Sequence, residues 1–186
     1  MLENHLGGHL NKTHLDYGAL TWLKNKFNAT SYLDIGCGPG GMVQLADELG
    51  FTAYGIDGDY TINRYNSNNF LIHDFTKGPA PLHNTYDIGW SCEFVEHVYE
   101  EYIPNYAQAF KNCKLLVMTY APPGWPGHHH VNLQEEEYWI NMLANYNLIF
   151  NKELTKELRE HSTMNQNKKK KAFVKNRGLI FINESL

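Results

Sequence analysis

Residues 93–97 read EFVEH, inside the longer stretch YDIGWSCEFVEHV. Placed on a helix, Glu93, Glu96 and His97 fall at i, i+3 and i+4 and project from one face. Two carboxylates and an imidazole on one face suit a divalent metal ion, an acid–base site, or the polar side of a helix. A second group lies downstream, where GHHHVN sets His128, His129 and His130 side by side. Three adjacent histidines cannot all face one point, so at most one or two of them act, and His129 and His130 are the candidates for proton transfer or substrate contact, with surface or structural histidines as the alternative. The chain has ten histidines, and seven of them are His5, His9, His14, His97 and these three.

A third group is a ligand loop. YLDIGCGPGG sets Gly36, Gly38, Gly40 and Gly41 directly after an apolar run. Glycines allow a sharp turn and a close approach of backbone to ligand. The helix that follows offers free N–H groups and the positive end of its dipole. Gly36, Gly38 and Gly41 also satisfy G-x-G-x-x-G, and Asp57 follows about 20 residues later, as in a nicotinamide dinucleotide site. Two acids favour another ligand: Asp34 lies inside the run before the loop, and Asp74 ends the third apolar run.

Something must hold these groups at one edge. Apolar runs at 31–36, 52–57, 69–74, 86–91 and 114–120 read as buried strands of a parallel sheet. Helical spacing at 15–27, 41–49 and about 98–112 separates them, which is the alternation of a βαβ fold. EEEYWINMLANYN reads as a helix, LIFNKEL as a strand and RGLIFIN as a last strand. The lysine run 168–171 reads as a solvated loop. A single domain over residues 1–186 is expected, with 1–13 as an N-terminal arm and neither an internal repeat nor a second domain.

Hydrophobic residues at 42% and aromatics at 13% argue against disorder. Net charge is −4 with sixteen basic residues, so a nucleic-acid partner is not expected. Cys37, Cys92 and Cys113 show no CxxC spacing and read as free thiols of a reducing compartment. No signal peptide is legible, and no apolar stretch approaches the roughly 20 residues of a membrane span. A cytoplasmic protein without membrane contact is therefore expected.

Asp34-x-Gly36-x-Gly38-x-Gly40, Asp57 and Asp74 resemble the first three motifs of class I S-adenosylmethionine-dependent methyltransferases, and the resemblance spans roughly residues 14–150. It implies one doubly wound, Rossmann-like α/β domain, with a mostly parallel sheet and an antiparallel last strand at GLIFIN. It implies that Asp34, Gly36, Gly38 and Gly40 line the methionine part of S-adenosylmethionine. Asp57 would accept both ribose hydroxyls, a charge-assisted pair. Asp74 would receive the adenine amino group beside Phe75, and Ser91 would border the cofactor from the fourth strand. The segment before the first strand would fold over the cofactor, with His14 or Asp16 as a roof. A helix cap by Thr13 is the alternative.

DIGWSCEFVEHV is similar to the matching stretch of ubiquinone-biosynthesis O-methyltransferases. E-x-x-E-H is similar to the metal motif of small-RNA 3′-terminal 2′-O-methyltransferases, where a histidine after the fifth strand completes the site. The RNA-recognition portions of those enzymes have no counterpart here, so an RNA substrate does not carry over. The resemblance implies an enzyme that methylates oxygen of a small molecule or a glycan unit, with a divalent metal ion on Glu93, Glu96 and His97. The rivals are a non-catalytic S-adenosylmethionine- or nucleotide-binding module and an NAD-dependent oxidoreductase.

Calorimetry checks the cofactor assignment. Asp57→Ala should weaken S-adenosylmethionine binding by about 2–3 kcal/mol, the scale of hydrogen bonds to a charged group. An unchanged affinity would reject the assignment of the second strand's acid. Gly38→Val should abolish binding while the circular dichroism spectrum stays native.

Overall fold

The computed structural model describes residues 2–186. Its strands are β1 (Ser31–Ile35), β2 (Thr52–Asp57), β3 (Phe70–Ile72), β4 (Tyr86–Ser91), β5 (Cys113–Met118), β6 (Leu148–Phe150) and β7 (Leu179–Asn183). Its α-helices are α1 (Tyr17–Phe27), α2 (Gly41–Glu48), α3 (Ile103–Lys111), α4 (Glu136–Ala144), α5 (Lys152–His161) and α6 (Phe173–Arg177). The strands form one sheet in the order β3-β2-β1-β4-β5-β7-β6. Strands β1 to β5 pair in parallel, and β7 runs antiparallel to both β5 and β6. The order reverses between β1 and β4, and the crevice at the carboxyl ends of these strands is where open α/β sheets bind ligands.

Period-two alternation divides the strand side chains between two apolar layers. Tyr32, Ile88, Trp90, Leu115, Val117 and Ile180 pack with α1, α2, α5 and α6. Leu33, Ile35, Leu116, Met118, Leu179 and Phe181 pack with α3 and α4 on the other face. Both faces are covered, which explains why these strands read as continuous apolar runs. The expected doubly wound domain with an antiparallel last strand is observed.

Three expected elements are redrawn. The third strand ends at Ile72, because the Asp74 side chain accepts from Thr76 N at 2.9 Å and starts a 3-10 turn. LIFNKEL is strand only to Phe150, because the Asn151 side chain accepts from Leu154 N and caps α5. The 98–112 helix starts late, at Ile103, with Pro104 in its first turn and a separate 3-10 turn (Glu100–Tyr102) before it.

The sheet edge remote from the glycine loop is fastened by one carboxylate. Asp87 Oδ2 accepts from Thr30 N and Ser31 N at 2.8 and 3.1 Å and from both hydroxyls, and Oδ1 accepts from Lys114 Nζ at 2.9 Å. Burial pushes this carboxyl up, but Lys114 and the Thr30 and Ser31 donors outweigh it and hold it well below the usual range. A depressed folded value stabilises the fold above the unfolded value and loses that stability as pH falls. Asp87→Asn should therefore cost about 2 kcal/mol at neutral pH. The difference from wild type should shrink below about pH 4, the ordinary aspartate range, in urea melts followed across pH.

Candidate active site

The glycine loop leaves β1 at the switch point and is tied to β2. Gly36 N and Cys37 N both donate to Ile56 O, at 2.8 and 3.1 Å. Gly38 N donates to Asp57 Oδ2 at 2.8 Å. Gly36 has φ +78°, and a Cβ there would lie 2.2 Å from the Phe94 ring, so glycine is required both by conformation and by space. Asp57 Oδ1 accepts from Asp59 N at 2.8 Å and from Arg64 Nη2 at 3.3 Å. Arg64 also donates to Gly38 O and Asp59 O, so one buried guanidinium joins the loop to the end of β2. Asp34 is buried beside them, and burial and the Asp57 charge push its carboxyl well up.

A cavity of about 530 Å³ opens on this edge. Asp34, Gly36, Gly38, Asp57, Asp74 and Phe75 line one half of it. Gly40 and Ser91 do not line it. A Cβ on Gly40 would meet the Phe70 ring at 2.4 Å, and the Ser91 hydroxyl donates to Ile35 O between β4 and β1. The strand alternation that puts Trp90 toward the ligand edge turns the Ser91 side chain into the sheet.

The N-terminal arm forms the roof. His5 Nε2 lies 3.1 Å from Asp74 Oδ1, and His9 Nε2 lies 2.9 Å from Asp59 Oδ2. Burial raises the Asp74 carboxyl, but hydrogen bonds from Thr76 and His5 outweigh it and leave it lowered. The His128 ring reaches Asn4 O at 3.0 Å, so the arm and the 128–130 loop meet above the cavity. His14 lines the cavity as expected, but Asp16 does not. Asp16 is fully buried, caps α1 through Ala19 N, and accepts from Ser162 Oγ and Thr163 N. Thr13 caps a helix too, but it is α2: its hydroxyl accepts from Gly41 N at 3.1 Å.

EFVEH is not one α-helical face. Glu93 stands in the left-handed region with φ +54°, and only Val95–His97 form a 3-10 turn. The Glu93 carboxylate is taken by Arg177 Nη2 at 3.2 Å, and its N–H donates to Thr119 Oγ1 at 2.8 Å. Arg177 also donates to Tyr120 O and lies over the Trp125 ring at 4.3 Å. Neither Arg177 nor Arg64 carried any signal in the sequence.

What does converge is Glu96, His97 and His130, whose ligand atoms all lie within 4.8 Å of one another. Glu96 is 0% exposed, and neither of its carboxylate oxygens meets a donor among the described residues. His97 Nδ1 is likewise buried without a partner. Burial and the Glu93 charge push the Glu96 carboxyl well up. Burial, aided by the neighbouring His130, lowers His97 to about 4, so its imidazole is neutral at pH 7. His130 Nδ1 sits 3.0 Å from Trp125 O, and a carbonyl only accepts, so Nδ1 carries the proton and Nε2 the lone pair. His129 stands outside this cluster, with φ +48° and its ring 5.6 Å from that of Tyr99.

No curated protein matches the chain. The magnesium protoporphyrin IX methyltransferase of Synechocystis PCC 6803, solved with bound SAH, aligns at 18% identity and TM-score 0.53, over 72% of this chain and 71% of that one. The plantazolicin methyltransferase BpumL with SAH aligns at 15% and 0.55, over 90% and 83%. The methyltransferase domain of bacterial CtHen1 aligns at 12% and 0.56, over 89% and 96%. At these identities the likeness is one of fold. The family itself is shown by sequence: a family model described as a methyltransferase domain matches residues 10–161. With that match across the glycine loop, the switch-point cavity and the doubly wound sheet, the chain belongs to the methyltransferase-domain family and is a class I S-adenosylmethionine-dependent methyltransferase.

Proposed function

We propose that the enzyme methylates a hydroxyl oxygen of a small molecule or sugar unit, at a divalent metal centre built on Glu96, His97 and His130. S-adenosylmethionine would lie across Asp34, Gly36, Gly38, Asp57, Asp74 and Phe75, with its methyl group directed toward that centre. The observation that carries the reading is the Glu96 carboxylate, fully buried with both oxygens lacking a donor. Without a cation that carboxyl holds a proton, as its raised pKa implies, and a bound cation would take the proton's place. Neutral His97 and the free Nε2 of His130 add two nitrogen donors. His130 gives its other N–H to a backbone carbonyl, as metal-bound histidines commonly do.

Mixed oxygen and nitrogen donors suit Mg²⁺, Mn²⁺ or Zn²⁺. Such a cation would lower the pKa of an acceptor hydroxyl so that its proton can pass to solvent as the oxygen takes the methyl group from the sulfonium. Glu93 serves differently from Glu96: held by Arg177, it closes the wall beside the cluster. The cavity walls hold donor and acceptor in line, and such positioning contributes up to roughly 7–11 kcal/mol in favourable model systems.

Chelation separates this reading from its rival. Exhaustive chelator treatment should stop formation of SAH from S-adenosylmethionine on a panel of hydroxyl compounds, while SAH affinity by calorimetry stays unchanged. Glu96→Ala should lower turnover by on the order of 100-fold, with the same intact SAH binding. Added Mn²⁺ or Zn²⁺ should raise the melting temperature of the wild type but not of Glu96→Ala. Turnover that survives chelation would sink the metal reading and leave a histidine of the 128–130 loop as the base.

A further inference from the structure

We infer that the acceptor carries an anionic group, a carboxylate or a phosphate, on a ring, and that Lys12, Lys170 and Lys171 receive it at the cavity mouth. The inference rests on the methyl-transfer reading of the cavity. The lysine run reads in sequence as a solvated loop, yet Lys170 and Lys171 line the cavity, and the arm brings Lys12 to it as well. Some 160 residues of chain separate these cations, so the fold, not a local run, brings them together.

The wall that joins them is built. Asn165 Nδ2 donates to Lys171 O at 2.8 Å and lies 3.0 Å from His14 Nδ1, which pins the lysine turn to the arm. The His14 ring meets the Phe173 ring edge-on at 5.0 Å. Arg177 lies over both Phe173 and Trp125. Trp125 and His14, both part-buried in the cavity lining, thus set rings beside the lysines, backed by Phe173 and Arg177. Burial, then the charges of Lys171, Lys12 and Lys168, lower the His14 pKa, so the positive field reaches into the wall.

Charge on this half of the cavity is one-sided. The acids that line the cavity lie elsewhere or are paired: Asp34, Asp57 and Asp74 belong to the glycine-loop half, and Glu93 is paired with Arg177. No ion pair engages Lys12, Lys170 or Lys171 among the described residues. A nucleic-acid surface would need a wider basic face, whereas this chain has net charge −4 and sets only Lys12, Lys170 and Lys171 at the mouth.

Calorimetry on SAH-loaded protein tests this with two matched pairs: catechol against protocatechuate, and glucose against its phosphate monoester. In at least one pair the anion should bind roughly tenfold tighter or better. Lys170→Glu with Lys171→Glu should erase that preference, and SAH affinity should not move. Both lysines are exposed, so the variant folds; a native melting temperature verifies it. Equal affinity within both pairs, no binding of either anion, or a preference that survives the double substitution would overturn the inference. So would binding of a short oligonucleotide with neither small anion bound. Failure of the wild type to bind SAH at all would instead strike the methyl-transfer reading beneath it.

Discussion

The Asp57 carboxylate is the constraint on which the ligand edge depends. One oxygen takes Gly38 N, and the other takes Asp59 N and Arg64. Those bonds fix the glycine loop against β2, and the loop in turn aims the start of α2, which Thr13 of the arm caps. Arm, loop and second strand are therefore one assembly around a single negative charge. Burial raises the Asp57 carboxyl, while Asp59 N, Gly38 N and Arg64 oppose the rise. The same donors hold its geometry before any ligand arrives, which is the meaning of preorganisation at a binding site.

The acids at the cavity wall and the acid behind it are treated in opposite ways. Asp57, Asp59 and Asp74 each accept several hydrogen bonds. Glu93 is held by Arg177, but the Glu96 oxygens behind it meet no donor among the described residues. Satisfied acids shape a surface; an unsatisfied buried acid demands a partner. The asymmetry sets the well-bonded acids at the cavity wall apart from one unsatisfied carboxyl buried behind it.

The sheet was legible because parallel strands covered on both faces are mostly apolar, and β1, β4 and β5 are buried along nearly their whole length. The glycine loop and its acids were legible because their spacing reflects a backbone path. Less could be read where a side chain answers to tertiary neighbours. Spacing put Glu93, Glu96 and His97 on one helical face, but Glu93 stands in the left-handed region, bonded to Thr119 and Arg177, outside the 3-10 turn that carries the other two. Asp16 looked like a roof, and its partners Ser162 and Thr163 lie far along the chain. Asn151 was an ordinary N-cap that a strand reading of LIFNKEL passed over. Arg64 and Arg177 had no local pattern to announce them.

The insertion of β7 between β5 and β6 also sets an order of assembly. β6 bonds only to β7, so it has no place in the sheet until residues 179–183 have been synthesised. Until then the outer edge of β5 stands open, a row of unpaired backbone groups. Arg177, just before β7, reaches Glu93 and Trp125 on the same late schedule. On the ribosome, the glycine loop and its β1–β2 support can form early, whereas the wall beside Glu93 closes last. A nascent chain stalled before residue 177 would thus present a doubly wound core with one raw edge and an open wall beside Glu93.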